Sequence, residues 1–213
     1  MVTIKEYPLI DISEVKNTKE RILLMAVRMF AERGYSAVSM RDIAAAVNIK
    51  PPSIYNHFHS KEDLFDTIIE SVKNVYLDFY NRLEKTLEQA TSFEQVIDCL
   101  FSELFEVYHM FIYYGVSLMA TEQFRNRTAR DAFYNVYMKI GIDYSANIFD
   151  ECIKKNWVKS FDTDKLATVF MNGVFMGSLL RAHEDQGNEV GFDANTQFLM
   201  LRSYMLGAVD IVD

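Results

Sequence analysis

From Asn17 onward the apolar residues Ile22, Leu23, Ala26, Val27, Phe30 and Ala31 recur three and four positions apart, which places them on one stripe of a helix. Asn17 stands at its N-cap with Glu20 placed to reach back in a capping box, and Gly34 is the residue type that most easily adopts a left-handed C-terminal stop. Tyr35 to Val38 form a bridge. Ser39 can cap a second helix with Asp42 at its third position, and Ile43, Ala44 and Val47 make a narrow buried face. Asn48 falls where a turn between two crossed helices requires positive φ, a conformation asparagine tolerates when glycine is absent. Lys50 precedes a proline and is pushed out of the helical region, whereas Pro51 and Pro52 cost no hydrogen bond in a first helical turn. A short third helix is predicted from Pro51 or Pro52 to about Phe58. So few residues can bury their apolar side chains in few arrangements besides a helix-turn-helix.

Ser60-Lys61-Glu62-Asp63 caps a long helix that runs to about Gln89, with Leu64, Phe65, Ile68, Val72, Tyr76, Phe79 and Leu83 in helical period. Ser92 starts another that carries Phe93, Ile97, Phe101, Phe105 and Tyr108 and is expected to end near Tyr113-Tyr114-Gly115. Val116 to Phe124 fits no clear pattern. A long helix is predicted from about Thr128 to Lys155, another from Asp162, and a last one from Asp193 or Asn195 to about Val212, after a polar loop from Glu184 to Gly191. No stretch reads as a strand and no repeat is visible, so the fold class is all-α with about nine helices.

Half of the 213 residues are hydrophobic, enough to bury a core. No apolar run reaches the roughly 18 to 20 residues that cross a bilayer, and the N-terminus has no basic segment followed by an apolar one, so a cytoplasmic protein without membrane contact is expected. Cys99 and Cys152 have no partners at metal-ligand spacing and read as packing thiols. No metal site, cofactor or enzyme activity is expected, since no His/Cys set, nucleophile motif or Gly-rich phosphate loop appears. The net charge of −8 argues against coating nucleic acid through bulk charge, but it is unevenly distributed. Residues 16–61 carry an excess of five positive charges, whereas residues 62–213 sum to −11. A basic head on an acidic body places any polyanion contact at the head.

Three blocks in order, Phe30-Ala31-Glu32-Arg33-Gly34-Tyr35, Ser39-Met40-Arg41-Asp42-Ile43-Ala44 and Ile54-Tyr55-Asn56-His57-Phe58-His59-Ser60-Lys61-Glu62-Asp63-Leu64, resemble the N-terminal signature of TetR-family transcriptional regulators. The resemblance covers about the first third of the chain. It implies a DNA-binding domain in residues 1–60, a helical ligand-binding and dimerisation domain in residues 61–213, and a homodimeric repressor that leaves a pseudo-palindromic double-stranded operator when a small-molecule effector binds. By the same resemblance Tyr55 donates its hydroxyl to the DNA backbone and His57 contacts it too, the alternatives being a half-buried core aromatic and a capping histidine. Lys61 and the N-H groups at its helix start could hold one phosphate together, and Ser39 is similarly placed; a solvated lysine and a plain cap are the rivals. Arg41 is a candidate for a base or inner phosphate contact, against a salt bridge to Asp42 or Glu32. Lys50, Ser53 and Asn56 would face the groove, where Asn56 could recognise adenine. Two departures matter: Asn48 replaces the usual turn glycine, and Lys50-Pro51-Pro52 replaces the polar triplet that opens the recognition helix. Proline offers no donor, so it can meet a thymine methyl but not a purine edge.

In the body, Phe101, Phe105, Tyr108, Tyr113, Met119, Phe133, Tyr137 and Phe170 are candidate contacts of a lipophilic or aromatic ligand, although such stripes more often form core. The family resemblance places the dimer interface on the last two helices, where Gly173, Gly177, Leu180, Tyr204, Gly207 and Ala208 are candidates; packing within the chain is the alternative. A regulator controlled by a protein partner through the acidic body is a second reading.

Overall fold

The computed structural model describes residues 12–106, 110–185, 191 and 193–212. After a 3-10 turn at Ile12–Glu14 come α1 (Thr18–Arg33), α2 (Met40–Ala46), α3 (Pro51–Ile54), α4 (Lys61–Leu87), α5 (Phe93–Glu106) and α6 (Met110–Glu122). A continuous run follows from α7 (Arg127–Ala132) through a π turn (Phe133–Met138) into α8 (Lys139–Lys154), then α9 (Thr163–Asp185) and α10 (Ala194–Gly207). With that run taken as one, nine α-helices and no strand are present among the described residues, which is the all-α class expected. No helix among the described residues is long and apolar enough to cross a membrane.

The described residues fall into two compact units. The first holds α1 to α3, α4 up to Val75, α6 and α7. Asn17 Oδ1 accepts from the N-H groups of Lys19 and Glu20, and Gly34 ends α1 with φ +85°. Ile22, Phe30, Ile43, Ile54, Phe58 and Phe65 are all but completely buried, so every helix of the turn contributes to one core. α6 packs along α1 and approaches α4 so closely that a Cβ at Gly115 would lie 2.3 Å from Val72 Cγ2. Gly115 was expected at a helix end and instead lies inside α6. A glycine inside a helix costs roughly 1 kcal/mol, and here the bare backbone is what lets α6 and α4 meet.

The second unit holds the rest of α4, with α5, α8, α9 and α10. Phe101 packs at 5.8 Å from Phe170 and 6.4 Å from Phe198, and Tyr144 donates its hydroxyl to the Tyr80 carbonyl at 2.8 Å. Arg202 of α10 reaches back to α5, pairing with Asp98 at 2.6 Å and Glu94 at 3.2 Å. α10 stops at Gly207 and not near Val212. The residues beyond it turn back, with Lys159 N-H donating to Asp210 O (2.9 Å) and Val212 N-H to Trp157 O (3.0 Å). The π turn interrupts the helix expected from Thr128 to Lys155 by widening one turn.

Candidate nucleic-acid interface

The helix-turn-helix is built as its local signals require. Ser39 and Asp42 form a reciprocal capping box: Ser39 N-H donates to Asp42 Oδ2 (2.8 Å), and Ser39 Oγ accepts from Asp42 N-H (3.2 Å) while donating to Oδ2 (2.6 Å). The Ser39 hydroxyl and N-H hold the exposed Asp42 carboxyl below its usual range. Asn48 takes φ +58°, and Lys50 is extended ahead of Pro51 (φ −68°, ψ 139°). The third helix is shorter than expected, since regular helix ends at Ile54 and residues 55–57 form a turn closed by His57 and Phe58 N-H groups on the Ile54 carbonyl, each at 3.0 Å.

An open groove of about 510 Å³ is lined by Ser36, Ala37, Val38, Ser39, Met40, Arg41, Tyr55 and Lys61. Four of the eight candidate DNA contacts, Ser39, Arg41, Tyr55 and Lys61, therefore converge from three separate segments. Tyr55 is 48% exposed, and Arg41 is exposed with no ion-pair partner among the described residues, so the suggested bridge to Asp42 or Glu32 does not form. Lys50 and Asn56 are exposed, and Ser53 and His57 half-buried, but none of these four lines the groove.

Lys61 is neither a free surface lysine nor aimed only at the groove. Its Nζ donates to the Tyr35 carbonyl and lies 4.1 Å from the Tyr35 ring centroid and 5.6 Å from that of Phe30. Burial pulls its pKa down, opposed by the carboxylates of Glu62, Glu122 and Asp42. Two residues missed in the sequence complete this corner. Tyr35 packs edge-on against Phe30 (5.2 Å) and Phe65 (4.9 Å), and its N-H donates at 3.0 Å to Oε1 of Glu122, a carboxylate only 6% exposed at the end of α6. Glu122 lies far along the chain, so no local signal could have found it. Tyr35 sits beside the first groove residue, Ser36, which was a possible clue.

Burial, with Glu62 beside the hydroxyl, pushes the Tyr35 phenol up from 10.0 to about 12. A folded-state pKa raised above the unfolded one favours the protonated form. Its contribution to stability is thus complete below about pH 10 and is lost as pH rises toward 12. Tyr35→Phe should flatten the alkaline limb of the stability profile followed by circular dichroism between these pH values; an unchanged limb would assign it to other tyrosines.

Of the ligand candidates, Phe101, Tyr137 and Phe170 are buried in the second unit, where Tyr137 stacks edge-on with Tyr76 (5.2 Å) and Phe175 (6.2 Å). Met119 and Phe133 are buried in the first. Tyr108 and the side chains of Phe105 and Tyr113 lie outside the described residues. Among the dimer candidates, Gly173 and Gly177 face α10 of their own chain, since a Cβ there would meet Leu201 at 2.5 Å and Phe198 at 2.4 Å. Leu180 is half-buried, whereas Tyr204, Gly207 and Ala208 are exposed. Met176, read from the sequence as part of the aromatic and Met-rich body, and Leu199 and Met200, overlooked there, are exposed on the same two helices.

Residues 22–68 match the model of the bacterial regulatory proteins of the tetR family. It is 30% identical over 108 residues to the biofilm operon icaADBC HTH-type negative transcriptional regulator IcaR of Staphylococcus epidermidis, covering 51% of this chain and 57% of the relative. It is 36% identical over 95 residues to the HTH-type transcriptional repressor KstR2 of Mycolicibacterium smegmatis, covering 44% of each. The chain thus spans about half the length of the curated relatives it matches. The fold is shared over nearly the whole chain with the ketosteroid transcriptional regulator KstR2 of Mycobacterium tuberculosis, at a TM-score of 0.68, 20% identity, and 94% and 98% coverage of the two chains.

Proposed function

We propose that this protein is a DNA-binding transcriptional repressor that acts as a homodimer on a pseudo-palindromic operator. The observation that carries this reading is the convergence of Ser39, Arg41, Tyr55 and Lys61 on one groove in the helix-turn-helix unit. Phosphate contacts set position but not sequence. In this reading Lys50, Ser53 and Asn56 meet the bases and His57 the backbone, while Pro51 and Pro52 leave part of the specificity to DNA shape. Similarity to two relatives named as a negative regulator and a repressor supports the sign of the regulation. Residues 1–60 would bind DNA and residues 61–213 the effector and the second protomer. The aromatic packing around Phe101, Phe170 and Tyr137 favours a lipophilic or aromatic effector, as does likeness to a regulator named for ketosteroids. Selection of bound duplexes from a random-sequence pool should return inverted repeats with half-sites about one helical turn or more apart. Recovery of no enriched sequence would sink the reading.

The exposed Met176, Leu199, Met200 and Tyr204 form the apolar surface we assign to the dimer. Met200→Glu with Tyr204→Glu would place two carboxylates in that interface, which is costly without partners. Sedimentation should then show a monomer that binds a single half-site weakly; a variant that remains dimeric would move the interface elsewhere.

A further inference from the structure

Residues 62–213 are acidic overall, yet Arg125, Arg127 and Arg130 stand within six positions of one another at the corner between α6 and α7. All three are exposed, and the segment also displays Phe124, 83% exposed, and Tyr134, 53% exposed. The one acidic side chain set among them is Asp131, which pairs with Arg127 at 3.4 Å and reaches Arg130 only at 4.0 Å. Arg125 has no ion-pair partner among the described residues. An exposed phenylalanine beside three arginines contributes nothing to the core, and guanidinium groups interleaved with aromatic rings suit a sugar-phosphate backbone.

The corner belongs to the same compact unit as the helix-turn-helix and is tied down by hydrogen bonds. Arg125 and Asn126 N-H groups both donate to the Glu122 carbonyl, at 2.9 and 2.8 Å, and Asn126 Oδ1 caps α7 by accepting from Ala129 N-H at 3.0 Å. The Glu122 side chain in turn accepts the Tyr35 N-H, one residue from Ser36 in the groove. Glu122 therefore ties the two together, its backbone carbonyl holding the arginine corner and its buried carboxylate holding Tyr35 beside the groove.

We propose that the Phe124–Arg130 corner is a second DNA-contacting surface, which binds backbone phosphates of the duplex flanking those held by the helix-turn-helix. The proposal rests on the DNA-binding reading above. It extends the footprint beyond residues 1–60 and adds affinity without sequence preference, because phosphate contacts carry no base information. A surface of anionic lipid is the rival partner. DNA is favoured because the corner shares a unit with the groove and the remainder of residues 62–213 is acidic.

The test uses the full chain and the triple variant Arg125→Ala, Arg127→Ala, Arg130→Ala, with a selected inverted-repeat duplex carrying long flanks and the same duplex trimmed to its half-sites. Affinities are measured from about 50 to 200 mM salt, where each phosphate contact contributes roughly 0.9 to the slope of log affinity against log salt. The unsubstituted chain should bind the long duplex more tightly than the trimmed one, with a slope steeper by about two per protomer than that of the triple variant. On the trimmed duplex the two proteins should be equal. Lys159→Ala with Lys165→Ala, which removes two exposed lysines of the second unit, should leave the slope unchanged. Equal slopes for the unsubstituted and triple-variant chains on the long duplex would overturn this proposal alone, whereas no duplex binding by the unsubstituted chain would overturn the regulator reading with it. Unaltered duplex binding with lost binding to phosphatidylserine vesicles would assign the corner to a membrane surface and likewise overturn the proposal.

Discussion

Arg41→Ala combined with Tyr55→Phe should weaken binding to a selected inverted-repeat duplex by at least about 100-fold while leaving thermal stability within about 1 kcal/mol. Both side chains line the groove, Arg41 is exposed and Tyr55 half-exposed, and neither holds up the core. A hydrogen bond to a charged group contributes about 1.5–3 kcal/mol, and two are removed from each of the two heads of the proposed dimer. At 1.4 kcal/mol per factor of ten, even one head losing the lower figure twice falls about 100-fold. Tyr55→Phe keeps the ring and removes only the hydroxyl, so fluorescence anisotropy at fixed salt isolates the phosphate contact from packing. Retention of full affinity would show that the groove is not where DNA binds.

Phe30→Ala should destabilise the helix-turn-helix unit by about 3–5 kcal/mol, the usual cost of emptying a buried aromatic site. The ring is fully buried, lies 5.2 Å from Tyr35 and 6.4 Å from Phe65, and stands under the Lys61 ammonium. Its loss would therefore release the Tyr35 corner as well as leave a cavity. Total stabilities are about 5–15 kcal/mol, so this change takes a large share. The single tryptophan, Trp157, belongs to the other unit and will not report it. Amide hydrogen exchange across α1 to α3 will, and unchanged protection there would contradict the role given to Phe30.

The first unit was the more legible because its signals act within a few residues. A serine hydroxyl reaching three positions on to Asp42, the positive φ of Asn48 and the restriction that Pro51 places on Lys50 are all short-range effects. Lys61 shows where that legibility stops. Its position at a helix start was clear, but its burial against Tyr35 depends on an aromatic cluster assembled from α1, the bridge and α4. In the second unit, periodicity located helices but misjudged ends, because a tail that pairs with residues 157–159 competes with the last turns of α10.

The amino-acid sequence by itself determined the all-α class, the three blocks of the helix-turn-helix and the concentration of positive charge there. These depend on side-chain type and on interactions between residues three or four apart, which survive in any tertiary arrangement. Only the tertiary structure decided that α6 passes through Gly115 against Val72 and that Gly173 and Gly177 serve α10 of their own chain. It also decided that Glu122 accepts the backbone N-H of Tyr35 while Lys61 donates to its carbonyl. Each of these is a contact between distant segments, set by which surfaces can close on one another without clash or unpaired charge.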